Sequence, residues 1–443
     1  MLKVGDIAPE IDATTSAGAK FRLSDQNGLC TIVFFFPKAF TPGCTIETRR
    51  FRDNYAELAL LGAKIVGVST DDHDTQCLFA KEMRTPFPMI GDGGKGIARA
   101  YGVLWPILER AMRVTFVVDS SRRIVAVIHH EIAIVQHRDE VLRVIDRMRG
   151  RKVESAEPRA IEGVPFDLLA EAGAGGMGTV YMARQRSTGK IVALKVLGKH
   201  ACPVRFAREI DVLARLEHPN IVGYVDHGTT PAGLTWLAME WLDGTSLHEL
   251  VSSGPMSAKA AAQIVRDVAR GLAAAHAAGV VHRDIKPSNV IVTRDGVVKI
   301  VDFGVALSRE RTIDALTRTG QVVGTPGYMA PEQARADKTI DARTDLFALG
   351  CLLYRCATGR RPFEGDDALA LLHSVLTKTT PRIDDVPADL DALCVELLAK
   401  EMDDRPKTAE GVLSRLDAIL ASMDQHVSDG SRANLRTAPM PRK

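Results

Sequence analysis

The feature that most constrains this chain is the segment His282-Arg283-Asp284-Ile285-Lys286-Pro287-Ser288-Asn289, followed thirteen positions later by Asp302-Phe303-Gly304. A carboxylate placed like Asp284 can accept a hydrogen bond from an attacking hydroxyl and align it with a phosphate. Oxygen atoms placed like those of Asn289 and Asp302 can hold magnesium against the phosphates. This order and spacing indicate transfer of a phosphoryl group from a magnesium-bound nucleotide.

A glycine-rich segment upstream predicts a loop that covers the nucleotide phosphates. Its glycines expose backbone N–H groups with no Cβ in the way, so a hairpin formed here can close over a phosphate chain. The residues of this predicted loop are Gly173, Gly175, Gly176, Gly178 and Val180.

The strand predicted after this loop carries a lysine. Alternation along Val192-Ala193-Leu194-Lys195 places Ala193 toward adenine and Lys195 toward the α- and β-phosphates. An ammonium held beside phosphates needs an anionic partner, and Glu209 lies near the apolar stripe of a predicted helix. We therefore expect a Lys195–Glu209 pair; the alternative for Glu209 is an ordinary exposed helix carboxylate.

Together these motifs make residues 163–422 similar to the eukaryotic-like serine/threonine protein kinases of bacteria. The resemblance implies an α+β bilobal fold, ATP with Mg²⁺, and protein substrates modified on Ser or Thr. Within this pattern Lys286 and Thr325 match the serine/threonine kinases and not the tyrosine kinases. The resemblance implies that Lys286, Asp284, Lys195 and Glu209 are catalytic residues. The resemblance assigns adenine binding to a hinge formed by Met239, as gatekeeper, Glu240 and Leu242.

The resemblance also implies supporting and regulatory residues. Glu332 is expected to pair with Arg405, and Asp345 is expected to anchor the catalytic loop from a buried helix. Arg283, next to the catalytic aspartate, predicts control by a phosphate on the activation segment. The candidate phosphorylation sites are Thr317 and Thr319, which are best placed, and Thr312.

Composition bounds the environment and the partners. The chain has 443 residues, 46% of them hydrophobic and 25% charged, which is enough for two or three domains with their own cores. A net charge of +2 argues against bulk attraction to nucleic acid or to an anionic membrane. We see no signal peptide and no run of eighteen apolar residues, and we expect a cytoplasmic protein without a membrane partner.

The N-terminal part predicts a second kind of domain. Apolar runs at 31–36, 64–69, 115–118 and 124–128 alternate with helical stretches and predict a mostly parallel sheet covered by helices. Cys44 stands at the start of a predicted helix, where unpaired N–H groups and the helix dipole favour the thiolate. We therefore expect the reactive thiolate to be populated near neutral pH.

The neighbours of Cys44 indicate peroxide chemistry. Thr41 stands where a dithiol oxidoreductase would have a second cysteine, and its hydroxyl can hydrogen-bond a peroxide. Pro37 would shield the thiol from water, and Arg113 would add positive charge. These residues resemble the peroxiredoxins, specifically the bacterioferritin-comigratory branch, which implies an α/β thioredoxin-like fold and no tightly bound prosthetic group. Its implied partners are a hydroperoxide, a thiol reductant such as thioredoxin or a small thiol, and a second copy in a homodimer.

The route by which Cys44 would be recycled stays open. Many members of that branch carry a resolving cysteine five positions after the reactive one, but position 49 here is Arg49. Cys77, on a predicted helix, is one candidate for a resolving cysteine. Otherwise Cys44 works alone, and its sulfenic acid reacts with an external thiol. A further alternative is that Cys44 is a small apolar core residue.

These readings divide the chain into a peroxiredoxin-like domain at 1–148, a linker at 149–162, a kinase domain at 163–422 and a disordered tail at 423–443. The tail offers Ser428, Ser431 and Thr437 as autophosphorylation sites. Three functions are weighed for the whole chain: a kinase with a redox-sensing input, a peroxidase whose kinase half is independent or self-regulatory, and a docking module that forms mixed disulfides without turnover. We favour the first, because the catalytic signatures of the kinase are complete.

Overall fold

The structure is a computed structural model. It describes residues 1–108, 110–129, 137–149, 159–175, 178–197, 210, 214, 216–252, 254–303, 326–335, 337 and 340–435.

The N-terminal domain is built on a sheet with helices on its faces. Its strands are β1 Asp12–Thr14, β2 Lys20–Arg22, β3 Cys30–Phe36, β4 Ala63–Ser69, β5 Met89–Gly91, β6 Val114–Asp119 and β7 Ile124–His129. Its helices are α1 Pro42–Asp53, α2 Tyr55–Leu60, α3 His73–Met83, α4 Gly96–Tyr101 and α5 His137–Met148. All seven residues of β3 are buried, because this central strand is covered on both faces.

The sheet is mixed, which corrects the prediction of a mostly parallel one. The strand order is β5-β4-β3-β6-β7, with parallel pairs between β3, β4 and β5 and antiparallel pairs between β3 and β6 and between β6 and β7. The four predicted strands are present within a residue or two of their expected ends. Their direction was mistaken because a fully buried strand has the same apolar composition in either orientation.

The C-terminal domain begins with a lobe of antiparallel strands, here called the small lobe. Its strands are β8 Arg159–Ala160, β9 Phe166–Gly175, β10 Gly178–Gln185, β11 Ile191–Leu197, β12 Tyr224–Thr229 and β13 Thr235–Glu240. They are ordered β12-β13-β11-β10-β9-β8. Phe166 and Trp236 pack edge to face in the core of this lobe, with ring centroids 5.5 Å apart.

The remaining elements form the large lobe, which is mainly helical. Its strands are β14 Gly244–Ser246, β15 Val290–Thr293 and β16 Val298–Ile300. Its helices are α6 Leu247–Ser252, α7 Ala258–Ala277, α8 Pro331–Ala334, α9 Arg343–Thr358, α10 Ala368–Thr377, α11 Ala388–Leu397 and α12 Ala409–Leu435. Helix α7 starts where the Ser257 hydroxyl accepts a hydrogen bond from the Ala260 N–H, and its alanine-rich face lies in the lobe core.

The last helix differs from the disordered tail predicted from residue 423. Helix α12 continues to Leu435, and Asp424 forms an ion pair with Lys259 of α7. This extension was not predicted because residues 424–435 are polar. The preceding part of α12 packs on α7 through its apolar residues, and the polar residues continue the helix that this packing stabilises. Ser428 and Ser431 therefore lie in a helix, and Thr437 lies outside the described residues.

Candidate active sites

The predicted catalytic loop is held from below by Asp345 of α9. The carboxylate of Asp345 is fully buried and accepts hydrogen bonds from the backbone N–H groups of His282, at 2.8 Å, and Arg283, at 2.7 Å. It also contacts Nε2 of His276 at 2.8 Å. Arg283 has a positive φ of 66°, a strained conformation that these bonds stabilise. The structure confirms the anchoring role predicted for Asp345.

The residues predicted to act on the attacking hydroxyl lie together at the end of this loop. Asp284 Oδ2 accepts a hydrogen bond from Lys286 Nζ at 2.7 Å and from Asn289 Nδ2 at 3.2 Å. Asn289 Nδ2 also donates to the Asp284 carbonyl oxygen at 2.9 Å. These contacts fix the direction of a carboxylate that is still partly exposed. The site can therefore orient a hydroxyl group at a defined atom.

Lys195 is paired with Asp302 across the cleft between the lobes. Their Nζ and Oδ1 atoms are 2.7 Å apart, and Lys195 is buried. The expected partner Glu209 lies outside the described residues. Asp302 adopts a positive φ of 59°, and the ring of the adjacent Phe303 packs on His282 with centroids 4.6 Å apart. This packing fixes the backbone that carries Asp302.

The donor set of Asn289 and Asp302 fits magnesium. One amide oxygen and one partly exposed carboxylate are hard oxygen ligands, and Mg²⁺ in nucleotide sites usually takes one or two protein oxygens and completes its shell with phosphates and water. Among the described residues, no group of three or more His, Cys, Asp and Glu side chains could form a metal site by itself. The pair therefore fits a metal that arrives with a nucleotide.

Most of the residues predicted to bind the nucleotide lie on β9, β10, β11 and the end of β13. Val180 pairs with Lys195 and Ala193 pairs with Met239, so the register brings the predicted adenine and phosphate contacts onto neighbouring strands. A Cβ on Gly178 would lie 2.1 Å from the Val196 carbonyl oxygen. Only glycine fits there without a shift of the backbone.

The predicted hinge contains a contact that sequence reasoning missed. Glu240 Oε1 forms an ion pair with Lys299 of β16 and accepts a hydrogen bond from the Gly223 N–H at 2.7 Å. Because its side chain is used in this way, Glu240 can contact adenine through its backbone. Leu242 packs beside buried Met239 in a small cluster at the base of the small lobe. Gly176 lies outside the described residues.

The end of the predicted activation segment is fixed by a buried ion pair. Arg405 Nη1 and Nη2 donate to the two carboxylate oxygens of Glu332, each at 2.8 Å, as predicted. Burial opposes ionisation of Glu332, but the hydrogen bonds from Arg405 outweigh it and hold the pKa of this carboxyl below its ordinary value. Thr344 Oγ1 completes the cluster by donating to Glu332 at 2.7 Å.

Arg283 contacts α8, the helix that follows the predicted activation segment. Its carbonyl oxygen accepts from Gln333 Nε2 at 2.8 Å, while its buried Nε has no hydrogen-bond partner among the described residues. The candidate threonines of the segment, Thr312, Thr317 and Thr319, and Thr325 lie outside those residues.

The second candidate site surrounds Cys44 in the first turn of α1. The thiol is fully buried, and Arg113 Nη2 donates to its sulfur at 3.4 Å. Thr41 precedes the helix, is buried, and donates its hydroxyl to the Lys38 carbonyl oxygen at 3.0 Å. Pro37, at the end of β3, is also buried. The structure thus brings the four predicted residues of this site to one place.

The charge state expected for Cys44 is not what this geometry favours. Burial raises the pKa of the Cys44 thiol, and the positive charge of Arg113 and the hydroxyl of Thr41 lower it without cancelling the effect of burial. The prediction of a thiolate populated near neutral pH is therefore wrong for the geometry in which Cys44 is fully buried. Exclusion of water outweighs the favourable helix terminus.

Glu47 is a member of this site that sequence reasoning missed. Arg113 Nε donates to Glu47 Oε2 at 3.1 Å, and both side chains are buried. Glu47 orients Arg113 toward the sulfur, although its own charge opposes ionisation of Cys44. A carboxylate three residues after Cys44 on the same helix face was the available signal, since i and i+3 side chains are neighbours.

The other cysteines lack such surroundings in the described part of the chain. Burial alone raises the pKa of Cys30 to about 12, and burial likewise raises the pKa of Cys356 to about 12. Cys77 lies on α3, half-buried, with its sulfur 3.4 Å from His73 Nε2 and 3.5 Å from the Ser16 carbonyl oxygen. These contacts leave its role as a resolving cysteine a prediction.

Comparison with known proteins identifies the families of the two domains. The chain belongs to the protein kinase family: the model of the protein kinase domain matches residues 166–415. The AhpC/TSA family model matches residues 4–127, so an AhpC/TSA thioredoxin-like domain precedes the kinase domain. The family resemblances drawn from the sequence are confirmed.

Particular relatives are bacterial serine/threonine kinases. The chain is 39% identical to serine/threonine-protein kinase pkn3 of Myxococcus xanthus, over 63% of this chain and 54% of that protein. It is 36% identical to PknB of Mycolicibacterium smegmatis, over 62% of this chain and 46% of that protein. The chain thus spans about half the length of the curated relatives it matches. Within the described residues, no helix is long and apolar enough to cross a bilayer.

Proposed function

We propose that this protein is an ATP- and Mg²⁺-dependent serine/threonine protein kinase whose N-terminal domain reduces peroxides and reports their presence to the kinase. The observation that carries the kinase proposal is the catalytic loop held by Asp345, with Asp284 fixed between Lys286 and Asn289. The serine/threonine kinases among its relatives favour Ser and Thr hydroxyls as acceptors.

In the proposed reaction, the substrate hydroxyl donates a hydrogen bond to Asp284 and attacks the γ-phosphorus of ATP. The bond to the bridging oxygen breaks, ADP leaves, and the hydroxyl proton passes to Asp284 and then to solvent. Lys286 positions Asp284. When ATP binds, the ion pair between Lys195 and Asp302 would break, and Lys195 would bind the α- and β-phosphates and pair with Glu209. Asn289 and Asp302 would hold the metal, which neutralises charge on the phosphates.

A phosphate on Thr317 or Thr319 would complete the site through Arg283. The buried Nε of Arg283 lacks a partner among the described residues, and an unpaired buried guanidinium nitrogen is unfavourable. A phosphothreonine would supply oxygen acceptors and negative charge at this position. This supports activation by phosphorylation of the segment.

The Arg113–Cys44 contact supports thiol peroxidase activity in the N-terminal domain. The Cys44 thiolate would attack one peroxide oxygen, the O–O bond would break, and the departing alkoxide or hydroxide would take up a proton. Cys44 is thereby oxidised to a sulfenic acid, which would condense with an external thiol or with Cys77 to form a disulfide and release water. A second external thiol would then reduce the mixed disulfide, or an external dithiol would reduce a Cys44–Cys77 disulfide, and Cys44 would return to the thiol. Arg113 and Thr41 would stabilise charge on the peroxide oxygens.

The kinase assignment is tested by phosphotransfer from γ-labelled ATP to a Ser/Thr peptide. Asp284→Ala should lower the rate roughly a thousandfold, about 4 kcal/mol of transition-state stabilisation, in a protein with unchanged circular dichroism. Asp366→Ala, which removes an exposed carboxylate of the large lobe, is the matched control and should leave the rate unchanged. Wild-type labelling by folded Asp284→Ala would refute the assignment.

The peroxidase assignment is tested separately by mass spectrometry after brief exposure to substoichiometric hydrogen peroxide. Sulfenic acid should form at Cys44 well before any other cysteine, and Thr41→Val should slow its formation. An even distribution over the seven cysteines would make Cys44 a structural residue. Selective oxidation without repeated turnover, together with trapped mixed disulfides, would favour the docking-module alternative.

A further inference from the structure

The N-terminal domain contacts the large lobe through a hairpin that the two reactions above do not use. Residues 103–108 and 110–112 form the two arms of this hairpin, which is closed by hydrogen bonds from the Trp105 N–H to the Arg110 carbonyl at 2.8 Å and from the Met112 N–H to the Val103 carbonyl at 2.6 Å. We call it the 103–112 hairpin; position 109 lies outside the described residues. A single hydrophobic cluster contains buried residues of both domains.

Three contacts join the domains at this place. Arg110 Nη2 donates to the Pro255 carbonyl oxygen at 2.9 Å. A Cβ on Gly254 would lie 3.4 Å from Lys38 Nζ, and a Cβ on Gly296 would lie 3.4 Å from Pro106 Cβ. Side chains of the N-terminal domain thus lie within van der Waals distance of the Cβ positions of residues 254 and 296.

On the N-terminal side, this contact leads directly to Cys44. The 103–112 hairpin runs into Arg113, whose guanidinium donates to the Cys44 sulfur. Lys38 lies in the loop before Cys44, and its carbonyl oxygen accepts the Thr41 hydroxyl. Atoms that surround the thiol and atoms that contact the large lobe therefore belong to the same two short segments.

Asp71 ties these two segments together. Its carboxylate accepts a hydrogen bond from the Ala39 N–H at 2.7 Å. Burial lowers the pKa of the Arg110 guanidinium, and the negative charge of Asp71 opposes that change. Asp71 therefore contacts the Cys44 loop directly and lies close enough to Arg110 for their charges to interact.

On the kinase side, the contact lies at the far end of the hairpin that carries the metal-binding residues. Gly296 is in the turn between β15 and β16, Asn289 immediately precedes β15, and Asp302 follows β16 by two residues. Arg294 in the same turn forms an ion pair with Asp243, just beyond the adenine hinge, with atoms 2.5 Å apart. The surface touched by the N-terminal domain is thus connected to the proposed nucleotide site through one short hairpin and one ion pair.

We propose that the 103–112 hairpin and Lys38 form a redox-sensitive intramolecular docking surface, which binds Gly254, Pro255 and Gly296 when Cys44 is reduced and releases them when Cys44 is oxidised. The sulfur of Cys44 is fully buried with Arg113 Nη2 at 3.4 Å, so the oxygen added in a sulfenic acid has to displace neighbouring atoms. Overpacking of this kind is relieved by movement of neighbouring backbone. The proposal rests on the peroxide reactivity of Cys44 proposed above.

The contact itself is tested by an engineered disulfide, independently of either activity. In the intact Cys44→Ser protein, Pro106→Cys with Gly296→Cys should crosslink in oxidised glutathione, because a 3.4 Å separation of the Cβ positions is close to the roughly 3.5–4.5 Å of natural disulfides. The pair Pro106→Ser with Gly296→Ser carries the same backbone changes and is the matched control. If peptide mapping finds no crosslink although both pairs fold and phosphorylate, the docking surface is refuted.

Redox sensitivity is tested by hydrogen exchange and by phosphotransfer in the intact chain. Oxidation of Cys44 should accelerate amide exchange at 254–256 and 293–297 at least threefold, and Arg110→Ala should produce the faster exchange without peroxide. Arg99→Ala, which removes an arginine hydrogen bond to the Gly94 carbonyl within the N-terminal domain, should not. Equal exchange in reduced and oxidised protein, with Cys44 shown to be oxidised, would overturn the proposal. Failure of Cys44 to oxidise would instead refute the peroxidase function while the crosslink still reports the contact.

Discussion

Replacement of Asp345 by asparagine should separate positioning of the catalytic loop from binding of ATP. Three hydrogen-bond donors converge on this buried carboxylate, from His282, Arg283 and His276, at 2.7–2.8 Å. An amide of the same size must turn an NH₂ group toward at least one of them. One charge-assisted hydrogen bond is worth about 1.5–3 kcal/mol, and the exchange also introduces a repulsive donor–donor contact.

We therefore expect Asp345→Asn to lower kcat about 30- to 150-fold, the equivalent of ~2–3 kcal/mol, because Asp284 follows the displaced Arg283 directly. The KM for ATP should change less than about twofold, since Asp345 lies below the loop and away from the predicted hinge. Steady-state phosphotransfer and thermal unfolding, run on the same preparation, measure both effects. Asp367→Asn makes the same chemical change at an exposed helix cap, 2.7 Å from the Ala370 N–H, where asparagine caps about as well as aspartate, and it should leave kcat unchanged. A folded Asp345→Asn protein with wild-type kcat would refute the reasoning.

Two further predictions concern buried charges. Arg113→Met should slow oxidation of Cys44 by peroxide and move the pH of its half-maximal rate upward, because the charge of Arg113 lowers a thiol pKa that burial raises; stopped-flow rates from pH 6 to 10 that keep the wild-type midpoint would contradict this. Arg405→Met should destabilise the large lobe by about 3–5 kcal/mol, because it leaves the buried Glu332 carboxylate without its cationic partner and with only the Thr344 hydroxyl as a side-chain donor; denaturant unfolding should show the loss, and Glu332→Gln with Arg405→Met should recover part of it.

The kinase site could be predicted in detail because its predicted catalytic residues lie close together in short segments of the sequence. Asp284, Lys286 and Asn289 are within six positions of one another, so local backbone geometry alone brings their side chains together. The long-range Glu332–Arg405 pair was reached only through the family resemblance, because no local pattern joins residues that far apart.

Other features depend on packing that sequence patterns do not contain. The antiparallel orientation of β6 depends on its pairing with β3, and the raised pKa of the Cys44 thiol depends on the complete burial of that side chain. Glu47 was missed because a helix carboxylate is usually exposed, and only the fold shows Arg113 beside it. The contact between Arg110 and Pro255 joins segments about 145 residues apart and has no sequence signature.

The measurement that tests the account most directly is phosphotransfer by the intact protein before and after stoichiometric oxidation of Cys44. If the two domains act as one device, peroxide should change the rate at least severalfold, the change should disappear in Cys44→Ser, and a thiol reductant should reverse it. A contact between domains tethered in one chain needs only a small difference in free energy between the reduced and oxidised states to produce this effect. Equal rates for reduced and oxidised protein, with Cys44 confirmed as sulfenic acid, would leave two independent enzymes in a single chain.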